Sequence, residues 1–154
     1  MQITETFHLA ELSDISDAAD MVRSFYTESP YVDLPFSYNR VRDQLEYMSL
    51  DKHNFLVGLA KINGVNVGLI VAQKVVPTFS EEYVGVELSW YIKPEYRGVG
   101  HIGKELIDAY EAWAKQTGCK AVQASMLSTS PELVEKLYYR RGYKKTEMSF
   151  QKRI

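Results

Sequence analysis

Three consecutive strand-like runs in the middle of the chain constrain the fold most strongly. Residues 55–62 and 65–76 are joined by Asn63-Gly64, a dipeptide that strongly favours a two-residue hairpin turn. Residues 82–92 then alternate with period two and end at Pro94. One face of this third run is expected to carry Val84, Val86, Leu88, Trp90 and Ile92, and the other Tyr83, Gly85, Glu87, Ser89 and Tyr91. The pattern predicts an antiparallel sheet at the centre of the fold.

Segments of helical periodicity flank this sheet. Two helices are predicted before it, the first with a buried face made of Ile15, Ala18, Ala19, Val22, Phe25 and Tyr26, and the second with one made of Val41, Leu45 and Met48. A long helix after the sheet is expected to end at Gly118. A fourth is expected to begin near Thr129 and to end at Gly142.

Further strands are predicted at residues 2–9, 119–126 and 143–152. The element order is then β-α-α-β-β-β-α-β-α-β, an α/β (α+β) fold with a mixed sheet flanked by helices. The chain has 154 residues and contains no repeat or linker. We therefore expect one domain over residues 1–154.

Composition limits the classes of partner. A net charge of −2 gives no electrostatic reason to expect nucleic acid or a membrane surface as the main partner. The apolar run at 65–72 is too short to span a bilayer, and residues 1–5 lack the layout of a secretory signal. Cys119 is the single cysteine, and His8 and His53 have no partners at metal-ligand spacing. We expect a cytoplasmic protein with no disulfide and no metal.

The most informative motif is the stretch from Trp90 to Lys104. A strand ends, a loop with three glycines follows, and an amphipathic helix begins. Such a loop directs main-chain N–H groups outward at a helix N-terminus, where the helix dipole favours an anion. Arg97 adds a positive charge that suits phosphate oxygens. A connector without a ligand is the alternative, but the strand, arginine and helix together favour a site for a pyrophosphate-bearing ligand.

This stretch and the segment 137–143, Leu-Tyr-Tyr-Arg-Arg-Gly-Tyr, resemble two motifs of the GNAT superfamily of N-acetyltransferases. The resemblance covers nearly the whole chain. It implies a mostly antiparallel central sheet of about six or seven strands flanked by four helices. It also implies acetyl-CoA as cosubstrate and transfer of the acetyl group to an amine by direct attack in a ternary complex.

The glycine spacing departs from the family pattern. The usual R/Q-x-x-G-x-G/A motif, counted from Arg97, would place a small residue at position 102. Ile102 stands there and Gly103 follows, so the loop is expected to be one residue longer, with His101 as the extra residue. The residues expected to bind the coenzyme are Trp90, Tyr91, Ile92, Arg97, Gly98, Val99, Gly100, His101, Ile102, Gly103 and Lys104.

The resemblance also implies roles for main-chain groups. The backbone of residues 90–92 would pair with the pantetheine arm, and an amide near Ile92 would help to hold the acetyl oxygen. Ser130 or Pro131 stands where relatives often have an asparagine that contacts pantetheine. That single contact is therefore expected to be missing.

Two side chains are the candidate catalytic residues. By resemblance, Tyr138 is the general acid that protonates the departing thiolate, since a phenol and an aliphatic thiol have similar pKa values. Packing beside Leu137 is the alternative for Tyr138, and Tyr139 is the second choice as acid. Glu87 is the candidate base, acting on the amine directly or through water; an ordinary solvated strand residue is the alternative.

The acceptor is expected to bind residues 26–36, where Tyr31 lies between the acidic residues Glu28 and Asp33. Carboxylates and aromatic rings would suit a cationic amine. The sequence does not decide whether the amine belongs to a small molecule or to a peptide or protein. It also does not decide whether the chain is a monomer or a homodimer. Because the glycine spacing is altered, the alternative function is a catalytically weak acyl-CoA sensor or regulatory module.

Overall fold

The computed structural model describes residues 2–154, so Met1, the first residue of the expected domain, lies outside the described residues. The strands are β1 (Glu5–Leu9), β2 (Phe55–Ile62), β3 (Val65–Val75), β4 (Val84–Ile92) and β5 (Ala121–Gln123). The helices are α1 (Ile15–Glu28), α2 (Tyr38–Leu50), α3 (Ile102–Gln116) and α4 (Glu132–Arg140). Within residues 2–154, no helix combines the length and the apolar character needed to cross a membrane.

The five strands form one sheet in the order β1-β2-β3-β4-β5. Neighbouring strands are antiparallel except β4 and β5, which are parallel. The predicted hairpin between β2 and β3 is confirmed, with Asn63 at φ 49° and Gly64 at φ 82°, both in the left-handed region that such a tight turn requires. The mixed, mostly antiparallel sheet and the four helices are therefore as predicted.

Helices cover both faces of the sheet. On one face, α1 and α2 pack against β2 and β3 through residues that include Ile15, Ala18, Ala19, Leu45, Leu59 and Leu69. On the other face, α3 packs through Ile102, Leu106, Tyr110 and Trp113. The Tyr110 hydroxyl donates to the Gln123 carbonyl over 2.6 Å and fixes α3 to β5. The amphipathic helices predicted from periodicity supply these two apolar layers.

A β-bulge interrupts β4. Val71 pairs with Ser89 whereas its neighbour Ala72 pairs with Glu87, so Leu88 is an extra residue in β4. Leu88 and Ser89 consequently line the same cavity, on the α1 and α2 side. Trp90 and Ile92 pack on the α3 side, where a Cβ at Gly85 would also point. The predicted uninterrupted alternation is therefore wrong beyond Glu87, because a bulge changes which face each later side chain occupies.

The prediction of a final strand at 143–152 is wrong, and within residues 2–154 the sheet has five strands rather than six or seven. The side chains of this segment bind the helices: the Tyr143 hydroxyl donates to Glu111, and Lys145 pairs with Glu135. β5 is also shorter than the predicted 119–126. The Cys119 N–H closes the end of α3 by donating to Ala114, and the Ser125 N–H donates to the Glu87 carboxylate.

The hairpin turn provides a test of the fold. A Cβ at Gly64 would have no neighbour within 4 Å, so the cost of Gly64→Ala comes from the positive φ alone. We expect this change to lower the free energy of unfolding by about 1 to 2 kcal/mol. Urea denaturation measures it. Gly64→Asn is the matched control, since asparagine tolerates this conformation better; an equal loss in both variants would contradict the explanation.

Candidate functional site

The candidate site lies where β4 and β5 separate. β5 pairs only with Val84–Val86, so in the described part of the chain the rest of β4, residues 87–92, has no strand along that edge. Two cavities adjoin this open edge from opposite faces. One, of about 390 Å³, reaches Leu88 and Ser89. The other, of about 380 Å³, reaches Trp90 and Ile92.

The second cavity, here called the loop cavity, lies between the end of β4, the glycine loop and α4. All the predicted coenzyme-binding residues line it except Tyr91, which is buried on the α1 side. The rest of its wall is formed by Pro131, which stands at the position expected near pantetheine, and by four residues not predicted to bind the coenzyme: Tyr96, Leu133, Val134 and Leu137. Pro131, Val134 and Leu137 are three residues apart and therefore lie on one face of a helix. This spacing is the sequence feature from which their place in a common wall could have been predicted.

Main-chain amides are the polar groups that the glycine loop offers. No acceptor in residues 2–154 takes the N–H groups of Gly98, Gly100, Ile102, Gly103 or Lys104. Positive φ values of 80° at Gly98 and 59° at Gly100 shape the loop, which leads into the N-terminus of α3. Free amides at the positive end of a helix dipole can bind an anion such as a diphosphate.

A carboxylate already lies beside this loop. The His101 N–H donates to both oxygens of Glu5, over 3.1 and 3.2 Å, and a Cβ at Gly100 would overlap that carboxylate. Burial raises the pKa of Glu105 in the first turn of α3, and repulsion from Glu5 adds to the increase. The field of Glu5 thus acts on the same helix end where an anion would bind.

The structure explains the shifted glycine. Ile102 is 2% exposed and packs over Gly68, where a Cβ would lie only 3.1 Å from Ile102 Cγ2. A Cβ at Gly103 would lie 3.4 Å from Ile92 and 3.5 Å from Trp90, at the wall of the loop cavity. Ile102 therefore fills the core, and Gly103, one position later, lies at the wall of the loop cavity.

Arg97 is engaged by neighbouring protein groups. Its guanidinium pairs with the Glu28 carboxylate at 3.0 Å, and its Nε donates to the Ile92 carbonyl over 2.8 Å. It also lies 5.4 Å from the centre of the Tyr91 ring. Arg97 was predicted to bind phosphate and Glu28 to bind the amine, but in the structure these two side chains form an ion pair with each other.

The first cavity lies between α1, residues 30–37, α2 and the bulge of β4. It is here called the acceptor cavity because it borders the segment 26–36, where the acceptor was expected to bind. Tyr31 lines it as predicted, but Glu28 and Asp33 do not. Apolar and aromatic side chains form most of the wall: Val22, Tyr26, Leu34, Pro35, Phe36, Val41, Leu45, Met48, Val71 and Leu88. Within residues 2–154, Arg40 is the one charged side chain that lines it.

Glu87 is buried at the point where the strands separate. Glu87 is only 7% exposed, and its Oε2 accepts a hydrogen bond from the Ser125 N–H over 3.0 Å. Burial raises the pKa of Glu87 to about 7, although the bond from Ser125 acts in the opposite direction. Glu87 is therefore not the ordinary solvated strand residue of the alternative interpretation.

Tyr138, like Glu87, forms a hydrogen bond with the backbone of Ser125. Its hydroxyl donates to the Ser125 carbonyl over 2.8 Å, while its ring lies 6.1 Å from that of Trp90. Burial is the main cause that raises the pKa of Tyr138, and the charge of Glu87 adds to it. Tyr139 is exposed and donates to Glu135. Sequence reasoning missed Ser125, because a backbone bridge between distant elements leaves no local signal.

The chain as a whole is similar to known acetyltransferases. The model of the acetyltransferase (GNAT) family matches residues 19–143. No curated protein matches closely enough to count as a relative. Similar solved structures include the aminoglycoside N-acetyltransferase AAC(6′)-Iy in complex with a bisubstrate analogue, with a TM-score of 0.77 and 15% identity over 98% of each chain.

Two further structures show the same fold. A ribosomal-protein-alanine N-acetyltransferase from Brucella melitensis biovar Abortus 2308 has a TM-score of 0.71 and 19% identity, over 98% of this chain and 99% of that one. The aminoglycoside acetyltransferase meta-AAC0020 from an uncultured soil metagenomic sample, in complex with sisomicin, has a TM-score of 0.72 and 15% identity, over 97% and 96%.

The pKa of Glu87 predicts a pH-dependent stability. A raised pKa means that the folded state holds the proton more tightly than the unfolded state, so this group's contribution to stability falls as pH rises from about 4.5 to about 7. The fall is on the order of 3 kcal/mol. Glu87→Gln should remove it and be more stable than wild type at pH 8. Denaturant titrations across this pH range measure the difference. Glu82→Gln, an exposed control, should keep the wild-type slope; an unchanged slope in Glu87→Gln would contradict the assignment.

Proposed function

The chain belongs to the GNAT acetyltransferase family, and from that membership we propose that it transfers an acetyl group from acetyl-CoA to a primary amine. The proposal places the reaction in a single domain, by direct attack in a ternary complex. The observation that carries it is the pair of cavities on opposite faces of the open edge of β4. Two substrates entering from opposite faces would meet at that edge without a covalent enzyme intermediate.

We assign the coenzyme to the loop cavity. The free amides of Gly98, Gly100 and residues 102–104 would bind the diphosphate, and the open edge at 90–92 would pair with the amides of the pantetheine arm. A main-chain N–H near Ile92 would then hold the acetyl oxygen. Bound acetyl-CoA supplies the thioester; the protein positions it.

Glu87 and Tyr138 would move the protons. With a pKa of about 7, Glu87 can take a proton from the amine near neutral pH, through water because its carboxyl lines neither cavity. As the new nitrogen–carbon bond forms and the carbon–sulfur bond breaks, Tyr138 would protonate the sulfur. Ser125 holds both side chains, Glu87 through its N–H and Tyr138 through its carbonyl; the proton taken up by Glu87 would be released to water, and Tyr138 would regain its proton from water.

One observation favours the second candidate, an acyl-CoA sensor with weak turnover. Arg97 is paired with Glu28, and Glu5 brings negative charge to the loop, so the electrostatics beside the diphosphate site are weaker than a bare glycine loop would give. Tight acetyl-CoA binding without turnover on any amine would support the sensor.

The enzyme assignment is tested by thiol release from acetyl-CoA against a panel of amines. Wild type should turn over at least one of them. Tyr138→Phe should lower kcat by about 10- to 100-fold, because it removes the proton donor, and should leave the Kd for acetyl-CoA unchanged. Tyr139→Phe is the control and should retain kcat. A wild-type kcat in Tyr138→Phe would exclude this tyrosine as the acid.

Glu5 provides a test of the diphosphate site. Glu5→Gln keeps an oxygen that can accept from the His101 N–H but removes the negative charge next to the loop. We expect the Kd for acetyl-CoA to fall by about threefold at low salt, and by less at high salt because of screening. Calorimetry measures both values. Glu11→Gln, on an exposed acidic residue that among the described residues forms no hydrogen bond or ion pair with the loop, should not change Kd; unchanged or weaker binding in Glu5→Gln would argue against a diphosphate at this loop.

A further inference from the structure

The acceptor cavity has a chemical character that the sequence did not indicate. Its wall is apolar and aromatic, and its volume of about 390 Å³ is in the range of small-molecule sites. The segment that borders it is held in place, since the Tyr26 hydroxyl donates to the Leu34 carbonyl over 2.7 Å and its ring packs on Phe36 at 5.1 Å. The cavity therefore has a defined shape in the protein without its ligand.

The charged side chains at the wall of this cavity and against its aromatic rings are arginines, Arg40 and Arg23. Glu28 and Asp33 lie outside its wall, and Glu28 is paired with Arg97. Arg23 lies over the rings of Phe36 and Tyr38, at 5.5 and 4.7 Å. A substrate with several positive charges would find no carboxylate in this wall and would be repelled by Arg23 and Arg40.

Arg40 is the distinctive group of the wall. It lies in the first turn of α2, and none of the acidic side chains in residues 2–154 forms an ion pair with it. A guanidinium beside an apolar surface suits a carboxylate whose carbon skeleton contacts that surface. The end of the cavity at Leu88 and Ser89 adjoins the open edge of β4, where the amine would have to react.

We propose that the acceptor is a small primary amine with an apolar or aromatic body and a carboxylate that Arg40 binds. The inference rests on the proposed function and names the substrate class of that same site. The amine nitrogen attacks the acetyl carbonyl, the bond to sulfur breaks, and one proton leaves the nitrogen while one reaches the thiolate. The product is the N-acetylated carboxylate and free CoA.

The test compares kcat/KM for three kinds of amine. The first is phenylalanine or leucine, the second is phenylethylamine or isoamylamine, which lack the carboxylate, and the third is spermidine, a polycation. We expect the order first, second, third, with about a tenfold step from the first to the second. Spermidine as the best acceptor, or a carboxylate that gives no advantage, would overturn the inference.

Variants of α2 separate the carboxylate contact from other effects. Arg40→Gln should raise KM for phenylalanine about tenfold and leave KM for phenylethylamine within twofold, because only the first contains the carboxylate. Arg42→Gln, on the same helix but outside the cavity wall, should change neither value. Equal effects of Arg40→Gln on both amines, or no effect on either, would reject the role of Arg40.

Failure of the inference and failure of the proposed function give different results. If spermidine is acetylated best, acetyl transfer stands and only the substrate class is wrong. If acetyl-CoA binds by calorimetry but none of the amines is acetylated, the protein behaves as the sensor and both proposals fall. Absence of acetyl-CoA binding would remove the coenzyme site itself.

Discussion

The separation of β4 from β5 after Val86 is the constraint on which the rest of the site depends. Main-chain polar groups at a strand edge need partners, and burying them without partners is costly. Around this opening, side chains supply some of the missing bonds: Glu87 accepts from the Ser125 N–H, and Tyr138 donates to the Ser125 carbonyl. These two contacts hold the diverging chain, and they also leave the edge from Leu88 to Ile92 free of a neighbouring strand. The separation of β4 and β5 is thus stabilised by these hydrogen bonds, although no strand within residues 2–154 pairs with this part of β4.

The bulge at Leu88 gives this edge two different faces. With strict alternation, Leu88, Trp90 and Ile92 would share one face, and a single cavity would border them all. The extra residue instead places Leu88 and Ser89 toward α1 and α2, and Trp90 and Ile92 toward α3. Each half of the edge therefore borders its own cavity. A one-residue irregularity in a strand accounts for the two-sided geometry on which direct transfer relies.

Sequence reasoning succeeded where the signal is local. The Asn63-Gly64 turn, the positive-φ glycines that follow α3 and α4 (Gly118 and Gly142), and the glycine loop depend on residues within a few positions of one another. It failed where partners are distant. The bulge is defined by pairing with β3, and the segment 143–152 binds α3 and α4 through Tyr143 and Lys145 instead of extending the sheet. Residue types alone also could not show that Glu28 lies outside the acceptor cavity.

The fate of Glu28 shows why composition misled the assignment of the acceptor side. Carboxylates near aromatic residues in the sequence suggested a cationic ligand, yet Glu28 lies at the end of α1 and meets Arg97, 69 positions later. Both side chains are nearly half exposed, so the pair itself contributes at most about 1 kcal/mol. The bond from Arg97 to the Ile92 carbonyl and the nearby Tyr91 ring help to fix the guanidinium there. Backbone geometry at the end of β4 thus decides which carboxylate is neutralised, and the acceptor cavity keeps an apolar wall with Arg40 as its charge.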